Sequence, residues 1–366
     1  MLKILHFGFM RKISAGIRNQ LIDEINAAEQ LQSRGVQWST VVFSIENPDS
    51  DPFVQEIHPT GNRILDYLRL HYFGFRWLKK QIPHYDFILF RYSPADPFSI
   101  LNFNIYNKVY TIHHTFEMEE LRSLFSGLLG FILFQLESLA GRLALRRVKG
   151  ILGITPEIVD YEVSRVQKRS KRLQRPYPNG IDLRKISVAE DQRKGPLTFL
   201  MVAYHYVSWH GLDLILEKLK SCSKDFQFHI VGTVFDDDKK IIQGDNRFIL
   251  HGSLNLEQIR DLACRCDFGL TSFALFRKRM TQACSLKTRE YLALGLPVYS
   301  GHEDPAFPTQ FPYFIFDPNL DIENLFKMAF DFRAEKREVI RQAAAPFIDK
   351  LKIMETLITH LGTGKP

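Results

Sequence analysis

The feature that most constrains this chain is an alternation of short β-like runs with helical patterns, sustained from one end to the other. KILHFGF leads into GIRNQLIDEINAAEQLQSRG and WSTVVFS, with DFILFRY and KVYTIHH further on; after Pro178 come TFLMVAY, GLDLILEKLKS, FQFHIVG, RFILHG, LEQIRDLACRC, DFGLTS and LPVYSG. Such an order is the signature of parallel sheets whose crossovers are helices, so the fold class is α/β with two Rossmann-like, doubly wound domains. Between the two series lies NGIDLRKISVAEDQRKGP, polar and carrying Gly and Pro, which reads as the linker. The expected domains are 1–180 and 181–344, facing across a cleft, with a terminal amphipathic helix in 345–366 ahead of a disordered GTGKP. No internal repeat or low-complexity segment stands out.

With 366 residues and 45% hydrophobic content the chain can bury two cores. Its four cysteines, Cys222, Cys264, Cys266 and Cys284, show no zinc or disulfide spacing, and a reducing cytoplasm is expected. The N-terminal MLKILHFGFMRK reads as a first strand rather than a secretory signal. The longest apolar run, Leu124 to Phe134, spans 11 residues and falls short of the roughly 20 needed to cross a bilayer, so no transmembrane helix is expected. The net charge of +7 gathers in the first half, where Lys and Arg outnumber Asp and Glu 23 to 17 over residues 1–180. GRLALRRVKG and the stretch from Arg165 to Arg175, beside that apolar run, fit an anionic membrane surface or lipid-linked acceptor, or else the solvated faces of helices. Nucleic acid is not expected, because these basic stretches lack interleaved aromatics and a recognisable motif.

In open α/β sheets ligands bind beyond the carboxyl ends of the strands. The first such loop holds Ala15 and Gly16, which open a helix and let backbone amides approach a ligand, or simply make a tight turn; it is not the GxGxxG of a dinucleotide fold. Next comes TIHHTFEMEE, where His113 and His114 end a strand ahead of Glu117, Glu119 and Glu120. A histidine there suits a sugar hydroxyl, a phosphate or a structural role, and the spacing matches no familiar metal ligand set. Asp236 to Asp238 read as an exposed turn, and His302, Glu303 and Asp304 as loop residues that cap or turn.

The strongest signal is SLKTREYLALGLPV, Ser285 to Val298. Ser285 is a good N-cap and Gly295 a stop, yet Lys287 and Arg289 occupy the first turn, where the helix dipole favours acids. Free amides at Leu286 and Lys287 with an added cation suit a diphosphate, which would supply the missing negative charge.

Taken in order, AGIRNQ, FILFRYS, TIHH, PNGID, MVAYHYVSWHGLDLIL, FHIVG, ILHGSLNLEQIRDL and SLKTREYLALGLPV resemble the retaining family 4 glycosyltransferases of the GT-B fold over almost the whole chain. The resemblance implies an N-terminal acceptor domain, a C-terminal nucleotide-sugar domain and a last helix that crosses back to the first. It assigns Glu290 to the donor ribose, as the second glutamate of an E-x7-E pattern. Leu286 and Lys287 fall to the diphosphate, Gly16 to the loop facing the phosphates, and His113, with His114 as the alternative register, to the sugar. Gly252, Ser253 and Leu254 fall near the nucleobase, with Glu257 opening the next helix.

Three places depart from the family pattern. Gln282 stands for the first glutamate of E-x7-E, and the usual Gly-Arg and Lys-Gly pair appears as Ala203-Tyr204 and His210-Gly211, which leaves a titratable histidine and gives Lys287 a compensating role. The expected activity is metal-independent transfer of a hexosyl group, with retention, from a UDP- or GDP-sugar to a glycan or lipid-linked acceptor in surface polysaccharide assembly. The site residues are His113, His210, Gln282 and Lys287 for catalysis, and Gly16, Gly252, Ser253, Ser285, Leu286, Lys287 and Glu290 for the donor. No cofactor is expected, and the location is cytoplasmic or peripheral on the inner face of the cell membrane. Alternatives are a non-catalytic GT-B subunit that binds a partner glycosyltransferase or glycan, and a sugar epimerase or phosphorylase of the same fold.

Overall fold

The computed structural model describes the chain except residues 126, 167–172 and 364–366, and except the side chains of residues 103, 123, 124 and 363. The chain divides into two compact units, Met1–Asp182 with Lys350–Pro366, and Leu183–Asp349.

The first unit runs β1 (Leu2–Met10), α1 (Ala15–Gln32), β2 (Val36–Ser44), β3 (Val54–Glu56), α2 (Arg63–Gln81), β4 (Phe87–Arg91), α3 (Phe98–Leu101), β5 (Val109–His113), α4 (Glu117–Leu124), α5 (Gly127–Leu145), β6 (Gly150–Gly153), α6 (Pro156–Ser164) and β7 (Leu173–Pro176). All seven strands are parallel, in the order β3-β2-β1-β4-β5-β6-β7. Successive residues of a strand face opposite sides, and β1 shows the result. Leu5, Phe7 and Phe9 pack against α2 and α5, while Ile4 packs on the opposite side with α1.

The second unit runs β8 (Leu197–His205), α7 (Leu212–Ser221), β9 (Phe226–Thr233), α8 (Asp236–Ile241), β10 (Phe248–Gly252), α9 (Leu256–Ala263), β11 (Phe268–Leu270), α10 (Leu286–Ala293), β12 (Val298–Ser300), β13 (Phe314–Phe316), α11 (Ile322–Phe332) and α12 (Arg337–Ile348). Its six parallel strands follow the order β10-β9-β8-β11-β12-β13. In each sheet the order reverses once, between β1 and β4 and between β8 and β11, and the loops beyond those strand ends are where a doubly wound sheet receives a ligand.

The tail differs from a single helix starting near Ala345. Helix α12 ends at Ile348, and a new helix, α13 (Lys350–Thr363), follows Asp349. It belongs to the first unit, where buried Lys350 places its ammonium 3.0 Å from the Tyr177 hydroxyl and 3.5 Å from Glu24. Glu24 also accepts hydrogen bonds from Trp38 Nε1 and Thr40 Oγ1, and its carboxyl sits far below the usual range because His6, Lys350 and these donors outweigh the burial that opposes them.

Three further expectations change. The apolar run of the first unit extends into the 19-residue α5, long and apolar enough to cross a membrane by length and composition, although 33% of its apolar window is buried. Arg165, read as part of a basic surface stretch, is instead paired with Glu137 and Glu162 inside the unit. Of the rest of that stretch, Lys168, Arg169, Lys171 and Arg172 lie outside the described residues. The acid run Asp236–Asp238 forms the start of α8 rather than a turn; Asp236 and Asp237 are exposed and paired locally with Lys239 and Lys240, and Asp238 is half-buried.

Candidate functional site

The loops beyond β8, β11 and β12 and the N-terminus of α10 gather the polar groups of the second unit. After β8 the chain makes a short turn in which the Val207 N–H donates to His210 Nδ1 at 3.2 Å. An imidazole nitrogen that accepts carries no proton, so the neutral ring holds its hydrogen on Nε2 and presents a donor there. Burial, followed by the charges of Lys287 and Lys278, pushes the His210 pKa down to about 3. The titratable cation expected at this position is therefore a neutral hydrogen-bond donor at physiological pH. Gly211 follows in the left-handed region at φ 68°, and a Cβ there would meet Ala274 N at 3.0 Å, so glycine is what lets α7 start so close to the β11 loop.

Helix α10 begins as the sequence implies. Ser285 Oγ accepts from the Thr288 N–H at 3.4 Å, and Gly295, at φ 81°, ends the turn beyond. Its two first-turn cations have different fates. Arg289 is fully buried and grips the Asp304 carboxylate with both terminal nitrogens, with Nη2 to Oδ1 at 3.0 Å, and lies 5.2 Å from the Phe307 ring centroid. Its missing anion is Asp304, which the sequence reading took for a loop residue. Lys287 has no such answer: its Nζ is buried without a hydrogen-bond partner among the described residues. Burial lowers its pKa to about 8, with Glu290 acting in the opposite direction, so the group is still mostly an ammonium at pH 7. A desolvated cation at the positive end of a helix dipole favours an anion on two counts.

Beyond β12, His302 is buried with Nδ1 3.0 Å from the Ser272 carbonyl. A carbonyl only accepts, so Nδ1 carries the proton and Nε2 is an acceptor, buried and unpartnered among the described residues. Burial brings its pKa down to about 4. Thr271 Oγ1, at the end of β11, is likewise buried without a partner. His302 was the residue missed by sequence reasoning; its position just after a strand end was the available signal. Gln282 Nε2 lies 3.4 Å from Glu303 Oε2 and the two residues form a parallel bridge. Glu290 is half-buried in α10. Gly252 ends β10 at φ 65° with open space around it, and Ser253 beside it is exposed.

In the first unit, Gly16 lies in the first turn of α1, exposed and with nothing within 4 Å of an added Cβ. His113 is fully buried, its ring tilted 31° against that of Tyr92 with centroids 4.6 Å apart, and shares a 3.1 Å hydrogen bond with Glu117 through Nδ1. Burial lowers its pKa to about 4, raises Glu162 to about 7 and raises Glu117 well above the usual carboxyl range. One ligand atom from each of His113, Glu117 and Glu162 falls within 4.8 Å of the others, close enough for a metal ion, but Arg165 already supplies positive charge to Glu162 at 2.6 Å. His114, the alternative register, has its pKa held well below the usual imidazole range by burial and by Arg91.

No protein-family model matches the sequence, and no curated protein does. Solved structures do match along nearly the whole length. A glycosyltransferase from Rickettsia africae is 14% identical with a TM-score of 0.65, over 98% of this chain and 97% of that one. The lipopolysaccharide outer core galactosyltransferase WaaB is 12% identical with a TM-score of 0.63, over 98% and 99%. The Anabaena protein HepE in complex with UDP is 13% identical with a TM-score of 0.63, over 99% and 100%. At this identity the likeness speaks to architecture: two parallel Rossmann-like sheets of seven and six strands, arranged along the chain as in these proteins, make this an α/β protein of the GT-B fold.

Proposed function

We propose that the chain is a retaining glycosyltransferase, related to family 4, that moves a hexosyl group from a nucleotide diphosphate sugar to a glycan or lipid-linked hydroxyl acceptor. The carrying observation is the Lys287 ammonium, buried and unpartnered among the described residues at the N-terminus of α10, beyond the strand ends of the second sheet. UDP in the HepE complex favours a uridine nucleotide.

In this reading the diphosphate takes hydrogen bonds from the Leu286 and Lys287 amides, from Lys287 Nζ and from His210 Nε2. Glu290 holds the ribose, Gly252 and Ser253 border the nucleobase, and Gln282 and the acceptor nitrogen of His302 hold sugar hydroxyls. As the bond from the anomeric carbon to the diphosphate breaks, negative charge grows on the leaving oxygen, where fixed donors stabilise it without reorganising. The acceptor hydroxyl attacks the same face, and its proton passes to the departing phosphate oxygen, so no protein base and no metal are required. Gly16 and His113 enter by resemblance; His113, neutral with its pKa near 4, would act as a hydrogen-bond partner rather than as a charge.

Gln282, uncharged where the family carries glutamate, favours the non-catalytic reading. Titration with UDP-, GDP- and ADP-sugars, followed by slow hydrolysis of the bound donor, separates the two. Selective binding with nucleotide release supports the enzyme, binding without any turnover even with acceptor supports the non-catalytic subunit, and no binding by any donor removes the reading.

A further inference from the structure

Helices α2, α3 and α5 of the first unit present an apolar surface that nothing among the unit's described residues covers. Helices α2 and α5 pack on the same side of the sheet: Leu70, Phe75 and Leu78 of the one and Ala144 and Leu145 of the other share a core with Leu5 and Phe7. Their opposite stripes therefore both turn away from that side. On α5, Leu128, Ile132 and Leu139, at four- and seven-residue spacing, are 75%, 51% and 58% exposed. On α2, Ile64, Leu68 and Tyr72 repeat every four residues and are also exposed, and so is Leu101 at the end of α3.

Charge on these helices is segregated. The carboxylates of α2, α3 and α5 are Asp66 and Glu137, which are 4% and 0% exposed, so neither faces outward. The exposed charges toward the C-terminal ends are basic: Arg76, Lys79 and Lys80 on α2, and Arg146, Arg147 and Lys149 just past α5. An apolar stripe edged by cations with every acid turned inward is complementary to an anionic bilayer surface. Helix α5 meets the length for crossing a bilayer, but Glu137 ties it inward through the Tyr92 hydroxyl at 2.9 Å, the Ala95 N–H at 2.6 Å and Arg165, and insertion across the membrane would break all three.

We infer that this face of α2, α3 and α5 docks the protein in plane on an anionic lipid bilayer, with Leu128 and Ile132 entering the acyl boundary and the basic ends meeting headgroups. The inference stands apart from the glycosyltransferase reading, since it needs no residue of the second unit.

The full chain should sediment with vesicles of phosphatidylcholine mixed with phosphatidylglycerol, bind far less to phosphatidylcholine alone, and be released as salt rises. Leu128→Asp with Ile132→Asp should abolish binding at any salt. Lys79→Glu with Lys80→Glu should weaken partitioning onto the mixed vesicles by roughly 10- to 100-fold and remove the preference over neutral ones. All four positions are exposed, and unchanged thermal unfolding would confirm that folding is intact. Absence of wild-type binding, equal binding to both vesicles, or full binding by both double variants would overturn the inference. A self-associating chain that binds no vesicle would also overturn it and assign the face to a second copy.

Discussion

The strand-end clusters of the two units are built from similar parts and leave different groups unanswered among the described residues. Each contains an arginine answered by carboxylate: half-buried Arg165 by Glu137 and Glu162 in the first, fully buried Arg289 by Asp304 in the second. The first cluster then adds another acid, Glu117, and a histidine held neutral, so its unanswered atoms, His113 Nε2 and Glu162 Oε1, sit in acid-rich surroundings. The second adds Lys287 and keeps His210 as a neutral donor, so its surplus is positive. Burial keeps Glu117 well above the usual carboxyl range and brings Glu162 up to about 7, so the first arrangement differs from the second less by negative charge than by offering no cation beyond Arg165, which carboxylates already answer. The proposed nucleotide diphosphate therefore falls to the second unit, where Lys287 is unanswered among the described residues.

The comparison can be broken by substitutions of decreasing effect. Asp304→Ala strands Arg289 in the core and should cost about 3–5 kcal/mol of stability in urea unfolding. A cost under 1 kcal/mol would mean that Arg289 finds another partner and that the two cations of α10 are interchangeable. Lys287→Met should weaken UDP binding about 100-fold in calorimetric titration, by removing a buried charged partner of the ligand. The same change should stabilise the ligand-free protein. Lowering the ammonium's pKa from 10.5 to about 8 costs up to about 3 kcal/mol below pH 8, a penalty that fades as pH rises from 8 to 10.5. His210→Ala should cost about tenfold in UDP affinity, the worth of one hydrogen bond to a charged oxygen. Glu162→Gln, in the first unit, should change UDP affinity by less than about twofold; a larger change would bring the acid cluster into the nucleotide's electrostatics.

The alternation of strands and helices, the opening of a helix at Ala15 and Gly16, the Ser285 cap and the Gly295 stop were legible in the sequence because each depends on local pattern or backbone freedom. What was not legible depends on partners distant in sequence. Lys287 and Arg289 look equivalent within α10, and only the return of the chain through β12 brings Asp304 to one of them. Similarly, His210 reads as a titratable cation until its turn places the Val207 N–H against Nδ1. The outward stripe of α5 was hidden by a helix apolar on nearly all sides, in which sequence alone does not tell the face packed on the sheet from the face left open.

The most direct test of the account is the affinity of UDP for the wild-type protein and for Lys287→Met, measured by calorimetry from pH 6 to pH 10. Wild-type affinity should follow the ionisation of UDP's own terminal phosphate at about pH 6 and then fall as pH rises through about 8, where Lys287 loses its proton, and the variant should bind weakly and show the first change without the second. Equal affinities in the two proteins, or a wild-type affinity that does not fall as pH rises through about 8, would contradict the assignment of Lys287 as the cation awaiting the diphosphate.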